Sequence, residues 1–538
     1  MFPRFQFTAR RVWLQRLQTR LASGKTVSEV EKPYYITSPI FYPNAAPHIG
    51  HLYSLVIADI YTRYQRLVNP ERPVHFLAGT DEHGLKIQRA AQAKGMEPKE
   101  FCDQLSSRFR ILAERAQISN TCFMRTTNKA HYETVQHVWR KLAEKGLFYK
   151  GNYSGWYSVT DECFYTDAQV TKSSSATVAS ETGSPVEWQE ETNYMFRLSA
   201  FQFALLDHYT STDVIFPVHH QSHIIDTLRQ PLEDLSVSRP RSRLSWGVPV
   251  PADPDQTVYV WIDALLVYLS GIGYPWKTSQ PTGWPVDLQV IGKDILRFHA
   301  IYFPAMLLAL GLPLPKRLLA HAHWTVEQKK MSKSLGNVAD PFESIDKYGV
   351  DVVRYYLARV GGRFRDDVDW SQGQLDKYFK EIQSLLGNFL LRVTSDRIKS
   401  AIKGASSMTL EDIARDKSSP NAPFVESQRA LADKLTTCLD QMEVSDAVEH
   451  VVELLRVANK AVTDIAPWKP STAPDVAYAS YLTSLETLRV AGICLQPFIP
   501  NVAAQLLDAL GIPPQERTWG HAREMRTWDG SVKGIKLF

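Results

Sequence analysis

At 538 residues, 44% hydrophobic and 22% charged, the chain has ordinary globular composition and exceeds what one core holds, so three or four domains are expected. No apolar run approaches the ~20 residues of a membrane helix, and the five cysteines (Cys102, Cys122, Cys163, Cys438, Cys494) form no Cys-x-x-Cys, which argues against a disulfide framework or thiolate cluster and for a reducing interior. Setting aside the six cations of the first 28 residues takes the formal charge from +4 to about −2, so nucleic-acid binding cannot be argued from bulk charge and would need local patches.

Residues 1–28 carry Arg4, Arg10, Arg11, Arg16, Arg20 and Lys25 without an acid, and Trp13, Leu14, Leu17 and Leu21 share one helical face. That is the pattern of a mitochondrial transit peptide; a basic arm touching RNA is the alternative. Gly24-Lys25-Thr26 is not a phosphate loop, because Thr19 stands where its first glycine belongs. Tyr34 to Thr37 then reads as a buried strand. It leads through Ser38-Pro39-Ile40-Phe41-Tyr42-Pro43-Asn44-Ala45-Ala46-Pro47 to His48-Ile49-Gly50-His51, after which Ile57, Ile60, Tyr61, Tyr64, Leu67 and Val68 recur at helical spacing. A helix start offers free N–H groups to an anion, and the two histidines add donors. A turn glycine between two polar residues is the plain alternative.

Val74 to Ala78 is a second strand, ending at Gly79-Thr80-Asp81-Glu82-His83-Gly84. Helical runs follow over 85–94, 98–118 and 128–144, with Gly146 a plausible stop. From Leu147 to about Asp255 aromatic-rich short strands and a Ser/Thr-rich loop (171–184) suggest an inserted domain. Thr257–Trp261 and Leu288–Ile291 read as strands, each followed by a helix, and Leu318–His321 as another, leading to Lys329-Lys330-Met331-Ser332-Lys333-Ser334. Strand–loop–helix alternation implies a parallel sheet, and each motif falls just past a strand's carboxyl end, where such sheets bind ligand. Helices over 374–397, 425–442, 444–466 and 476–496, with a polar loop at 400–423, suggest a C-terminal bundle.

His48-Ile49-Gly50-His51 and Lys330-Met331-Ser332-Lys333-Ser334 together resemble the two signature motifs of class I aminoacyl-tRNA synthetases. The residues around them resemble the methionyl-tRNA synthetases, the mitochondrial ones in particular, from about Lys32 to at least Trp468. Without its upstream companion, the lysine-rich segment would read as a solvated basic loop. The resemblance implies an α/β fold: a Rossmann-like parallel-sheet catalytic domain with an inserted domain, followed by an α-helical bundle. The expected divisions are 1–28 transit peptide, 29–146 and 256–340 the two catalytic halves, 147–255 the insert covering the tRNA acceptor end, 341–378 a junction, and 379–538 the anticodon-binding bundle.

It further implies an ATP- and Mg²⁺-dependent ligation of methionine to its tRNA, by a monomer of the mitochondrial matrix with no membrane partner. His48, Gly50, His51, Lys330, Ser332 and Lys333 would handle ATP, the histidines and lysines catalytically. Asp81 would take the methionine ammonium, with Ile40, Tyr42, Trp261, Ala264, Tyr268, Phe298 and His299 lining the side-chain pocket. Asn388, Arg392 and Trp468 match the anticodon contacts. Family members often carry a zinc knuckle after a Trp-Tyr pair. Here Trp156-Tyr157-Ser158-Val159-Thr160-Asp161-Glu162-Cys163 has Ser158 and Asp161 where the first cysteines would be, so no zinc is expected and the hairpin should be held by packing. The leucine, isoleucine and valine enzymes carry a larger insert, a cysteine enzyme needs a zinc thiolate site, and a nucleotidylyltransferase would not need the long bundle. A catalytically silent relative should have lost one of His48, His51, Asp81 or Lys333.

Overall fold

The computed structural model describes residues 31–172, 176–277, 282–331, 338–416, 418–528 and 532–538. The transit-like start, Ser332 and Lys333 lie outside the described residues, and of Lys330 only the backbone is described. Six strands form the central sheet: β1 (Tyr34–Phe41), β2 (Val74–Thr80), β3 (Cys122–Arg125), β4 (Ile215–Phe216), β5 (Leu288–Gly292) and β6 (Leu318–His321). Their order is β3-β2-β1-β5-β6-β4, and every pairing is parallel. β5 and β6 are buried throughout, as befits a sheet covered on both faces.

β1 runs on through Ser38 and Pro39, further than its β-branched start suggests. Pro39 has no N–H to give the ladder, and the register with β2 shifts between Thr37 and Ile40. Ile40 therefore sits in the strand and Tyr42 just beyond it. The helix α1 (Ile49–Val68) follows and packs its apolar residues against the sheet.

Two expectations are corrected. Trp261 lies in a helix, Val260–Leu265; the preceding strand, Asp253–Val258, stops earlier and pairs antiparallel with short segments of the insert. A short apolar run such as Val258–Ile262 has no period that separates strand from helix. In addition, the stretch read as an insert gives β4 to the central sheet, between helices Gln202–Ser211 and Val218–Arg229. The rest of it builds a four-stranded antiparallel sheet around the long hairpin arms Phe148–Ser158 and Glu187–Phe196.

The C-terminal helices include Ala422–Asp440, Val444–Ile465 and Pro474–Leu495, and spacing missed both Pro500–Ala509 and a short helix, Leu410–Arg415, inside the stretch expected as a polar loop. The helix expected over 374–397 is interrupted: Gln372–Ile382 passes through a π-helical turn, Gln383–Asn388, into Phe389–Val393. One hydrophobic core runs from α1 into these helices, and a second fills the opposite face of the sheet beneath the insert. Arg354, fully buried on the junction helix Val350–Gly361, joins the parts. Its guanidinium pairs with Asp59 of α1 at 2.7 Å and donates to the carbonyls of Phe498 and Pro497 at 3.1 and 2.9 Å. A charge this deep persists only when paired and hydrogen-bonded, as it is here.

Candidate functional site

The start of α1 does not leave its N–H groups open, as the sequence suggested. His48 is the N-cap, and its Nδ1 accepts from the Gly50 N–H at 3.0 Å; the His51 Nδ1 accepts from the His48 N–H at 3.0 Å. Ile49 N–H is taken by the Ala339 carbonyl at 3.1 Å. A neutral imidazole that accepts at Nδ1 holds its proton at Nε2. The two rings, 3.8 Å apart, are thus set as an adjacent pair of Nε2–H donors. Phe41 and Phe109 brace His51 edge-on at 5.0 and 5.1 Å. Gly50 serves the same arrangement, since a Cβ there would stand 2.9 Å from the His48 ring.

Both described ends of the lysine-rich loop come to this helix. Lys329–Lys330 pairs antiparallel with Trp324–Val326, Met331 is buried in the same core as Ile49 and Leu52, and Ala339 makes the bond to Ile49. Tyr53 packs on Trp324 and His321, and Ser54 bonds the His321 ring at 2.8 Å. Ala339 is thereby held at the start of α1, next to His48.

Past β2, three titratable neighbours meet different fates. Glu82 is fully buried and saturated, accepting from Arg125, Thr80, Ser106 and Thr127. His83 bonds the Asp263 carboxylate and the Tyr132 hydroxyl. Asp263, which also takes a bond from His131 at 2.8 Å, is pulled down to about 2: burial would raise it, but the two imidazoles override that. Asp81 is left over. It is 5% exposed, its Oδ1 has no partner, and burial, then the nearby carboxylates of Asp263 and Glu162, hold it well above the usual range. A buried carboxylate with an idle oxygen lacks a cation.

The expected pocket residues make contacts among themselves. Trp261 stacks on Phe298 with ring centroids 3.7 Å apart and planes at 18°, and Ala264 is buried on the same helix as Trp261. The Tyr268 hydroxyl bonds the His299 Nε2 at 2.8 Å while the His299 Nδ1 donates to the Ile295 carbonyl at 2.9 Å. Phe298 and His299 lie in a π-helical turn, Phe298–Tyr302, a distortion common at functional sites. Asp294, just past β5, and His323, just past β6, meet as well, the Asp294 Oδ1 and His323 Nε2 lying 3.7 Å apart. Their signal was available, since both follow strand ends.

The knuckle hairpin is tied by Asp161 rather than by packing alone. Its carboxylate accepts from Tyr165 at 2.9 Å, Thr182 at 2.7 Å and Ser184 at 2.9 Å, and its N–H donates to Ser158 at 3.1 Å. Far from the sheet ends, Arg392 lies over Trp468 with its guanidinium 4.8 Å from the ring centroid, one turn from exposed Asn388. Arg392 also donates to Thr463 at 2.9 Å.

A parallel sheet that gathers capped histidines, a lysine-bearing loop and a solitary buried aspartate at its carboxyl edge defines a nucleotide-handling catalytic domain of the class I synthetase type. The model for "tRNA synthetases class I (M)" matches residues 34–394, and that for "Anticodon binding domain of methionyl tRNA ligase" matches residues 417–531. The chain is 44% identical to the mitochondrial methionine–tRNA ligase of Takifugu rubripes, covering 94% of this chain and 87% of that one. It is 42% identical to the Homo sapiens mitochondrial ligase, over 93% and 87%. The crystal structure of Mycobacterium tuberculosis methionyl-tRNA synthetase bound by methionyl-adenylate superposes with a TM-score of 0.87 at 36% identity, over 94% of this chain and 100% of that one. The chain belongs to the methionyl-tRNA synthetase family.

Proposed function

We propose that the protein ligates L-methionine to its tRNA for mitochondrial translation. Methionine and ATP form methionyl-adenylate and pyrophosphate, and the tRNA 3′-terminal ribose then takes the methionyl group. The observation that carries the amino-acid half is Asp81, a buried carboxylate just past a strand end whose Oδ1 has no partner; Ile40, Tyr42, Trp261, Tyr268 and Phe298 share one apolar core, and with Ala264 and His299 they would line the side-chain pocket. An ammonium supplies the missing partner of Asp81, and aromatic walls suit a soft thioether.

The first step needs no enzyme nucleophile. The methionine carboxylate attacks the α-phosphorus, and charge spreads over the departing pyrophosphate. His48 and His51 present Nε2–H donors whose proton position the helix cap has already set. Lys330 and Lys333, with Ser332, close over the leaving group. Mg²⁺ bound with ATP would offset charge on its phosphates. No zinc is assigned to the knuckle, where hydroxyls and the Asp161 carboxylate occupy the hairpin's centre. The bundle reads the anticodon through Asn388, Arg392 and Trp468, and residues 147–255 cover the acceptor end. The mitochondrial names of the relatives and the arginine-rich start support a mitochondrial enzyme; the matrix is its proposed place and a monomer its proposed form.

The test is which amino acid supports ATP–pyrophosphate exchange. Methionine alone is expected; exchange with leucine or cysteine instead would overturn the assignment.

A further inference from the structure

We infer that Glu162, at the tip of the inserted hairpin, is a positioning residue for the methionine subsite, holding Tyr42 in place so that amino-acid recognition depends on the insert being docked.

Three observations carry this. First, Glu162 has φ of 52° and lies 5% exposed, a left-handed conformation and a burial that a glutamate at a turn does not adopt without compensation. Second, its carboxyl is built into the subsite wall. One oxygen takes the Lys86 N–H at 2.6 Å and the other lies 2.7 Å from the Tyr42 hydroxyl. The fit leaves no slack, for a Cβ on Gly84 would meet the Glu162 carboxyl at 2.5 Å and the Tyr42 hydroxyl at 2.6 Å. Third, the preceding residue holds another wall, the Asp161 carbonyl lying 3.4 Å from the Trp261 indole nitrogen. Asp161 is itself fixed by Tyr165, Thr182 and Ser184, so the tip is a rigid clasp rather than a loose loop.

Proton counting sharpens the point. The Tyr42 hydroxyl lies 2.8 Å from the His83 carbonyl as well as 2.7 Å from Glu162, and it has one proton for two acceptors. The phenol therefore shares its proton between the Glu162 carboxylate and the His83 carbonyl, which fixes the ring from two sides. Burial raises the Glu162 pKa above its ordinary value, while the bonds from the Tyr42 hydroxyl and the Lys86 N–H and the charges of Lys86 and Arg239 work against that rise.

The inference rests on Tyr42 and Asp81 belonging to the methionine subsite, and the experiment separates the two. In ATP–pyrophosphate exchange, Glu162→Ala is expected to raise the methionine KM about tenfold, the scale of a lost buried hydrogen bond, with the ATP KM within about twofold. Glu162→Gln should stay near wild type, because its amide can donate to Tyr42 and accept from Lys86. Tyr42→Phe, which leaves the hairpin backbone alone, should raise the methionine KM alone, and the Glu162→Ala/Tyr42→Phe double variant should be no worse than the poorer single. Equal impairment of Glu162→Gln and Glu162→Ala, parallel rises in both KM values, additive effects in the double variant, or an unchanged methionine KM would each overturn the inference. If Asp81→Asn also left the methionine KM unchanged, the subsite assignment would fall with it; if Asp81→Asn raised it, Glu162 alone would be acquitted.

Discussion

The strand-end cleft and the Arg392–Trp468 platform are built on opposite terms. In the cleft, groups from chain positions as distant as His48 and His321, some half-buried and some buried, are locked by one another: imidazoles by backbone amides, Trp261 by Phe298, His299 by Tyr268. On the platform an exposed Asn388 and a half-exposed Arg392 lie on one broken helix, with Trp468 beneath the guanidinium. The difference follows from the ligands. A phosphoryl centre must be met by donors whose orientation is already settled, whereas an unstacked base needs an open plane to land on. Damage in the cleft should therefore be steep and chemical, and damage on the platform shallower and confined to tRNA.

The steepest break is at His51. Replacement by Asn keeps an oxygen that can cap the His48 N–H but removes the Nε2–H. Methionine-dependent pyrophosphate exchange should fall by ~10²-fold or more with thermal stability unchanged; near-normal exchange would remove His51 from the chemistry. Next comes Asp81→Asn, which should raise the methionine KM by about 10²-fold, the loss of a desolvated charge pair. The same substitution should make the ligand-free protein melt higher at pH 7. Asp81 is held above its ordinary pKa, so its ionisation opposes folding at neutral pH, and Asn lifts that burden. A falling melting point would mean that Asp81 has a partner in the resting state.

What could be read beforehand follows the same division. The motifs at strand ends were visible because a parallel sheet puts ligand there whatever the details. Asp81 could be named, but not its isolation, which depends on Arg125, Thr127 and His131 turning Glu82 and Asp263 into saturated neighbours from elsewhere in the chain. β4 was hidden because two residues carry no period, and Trp261 was placed in a strand because an all-apolar run suits either element. The helix cap was misjudged for a local reason. Capping boxes are looked for in Ser, Thr, Asp and Glu, and here two imidazoles do that work.

On the platform, Trp468→Ala should lower tRNA aminoacylation about tenfold, the worth of one stacked base, and leave pyrophosphate exchange intact. Arg392 would lose the plane beneath it while keeping its bond to Thr463. Loss of exchange as well would show that Trp468 supports the fold and would erase the contrast between the two regions.

The smallest effect tests how firmly the cleft is locked. Burial pushes His299 down to about 4, outweighing the Ile295 carbonyl and the Asp294 charge that favour protonation. With Nδ1–H given to Ile295, its Nε2 must stay bare to accept from Tyr268. The folded pKa lies below the unfolded one, so between pH 6.5 and about 4 the unfolded chain binds more protons. The contribution is whole above pH 6.5 and declines as pH falls, by about 1.4 kcal/mol per unit for one such group. His321 is pushed to about 4 for the same reason and adds its own slope, so the whole protein's decline cannot be assigned to His299 directly. The difference between wild type and His299→Gln can. The wild-type melting advantage at pH 7 should shrink steadily toward pH 5 as only the wild type loses this term. A gap that stays constant over that range would mean the folded protein protonates His299 freely, and that the Tyr268–His299 wall yields where the histidine cap of α1 does not.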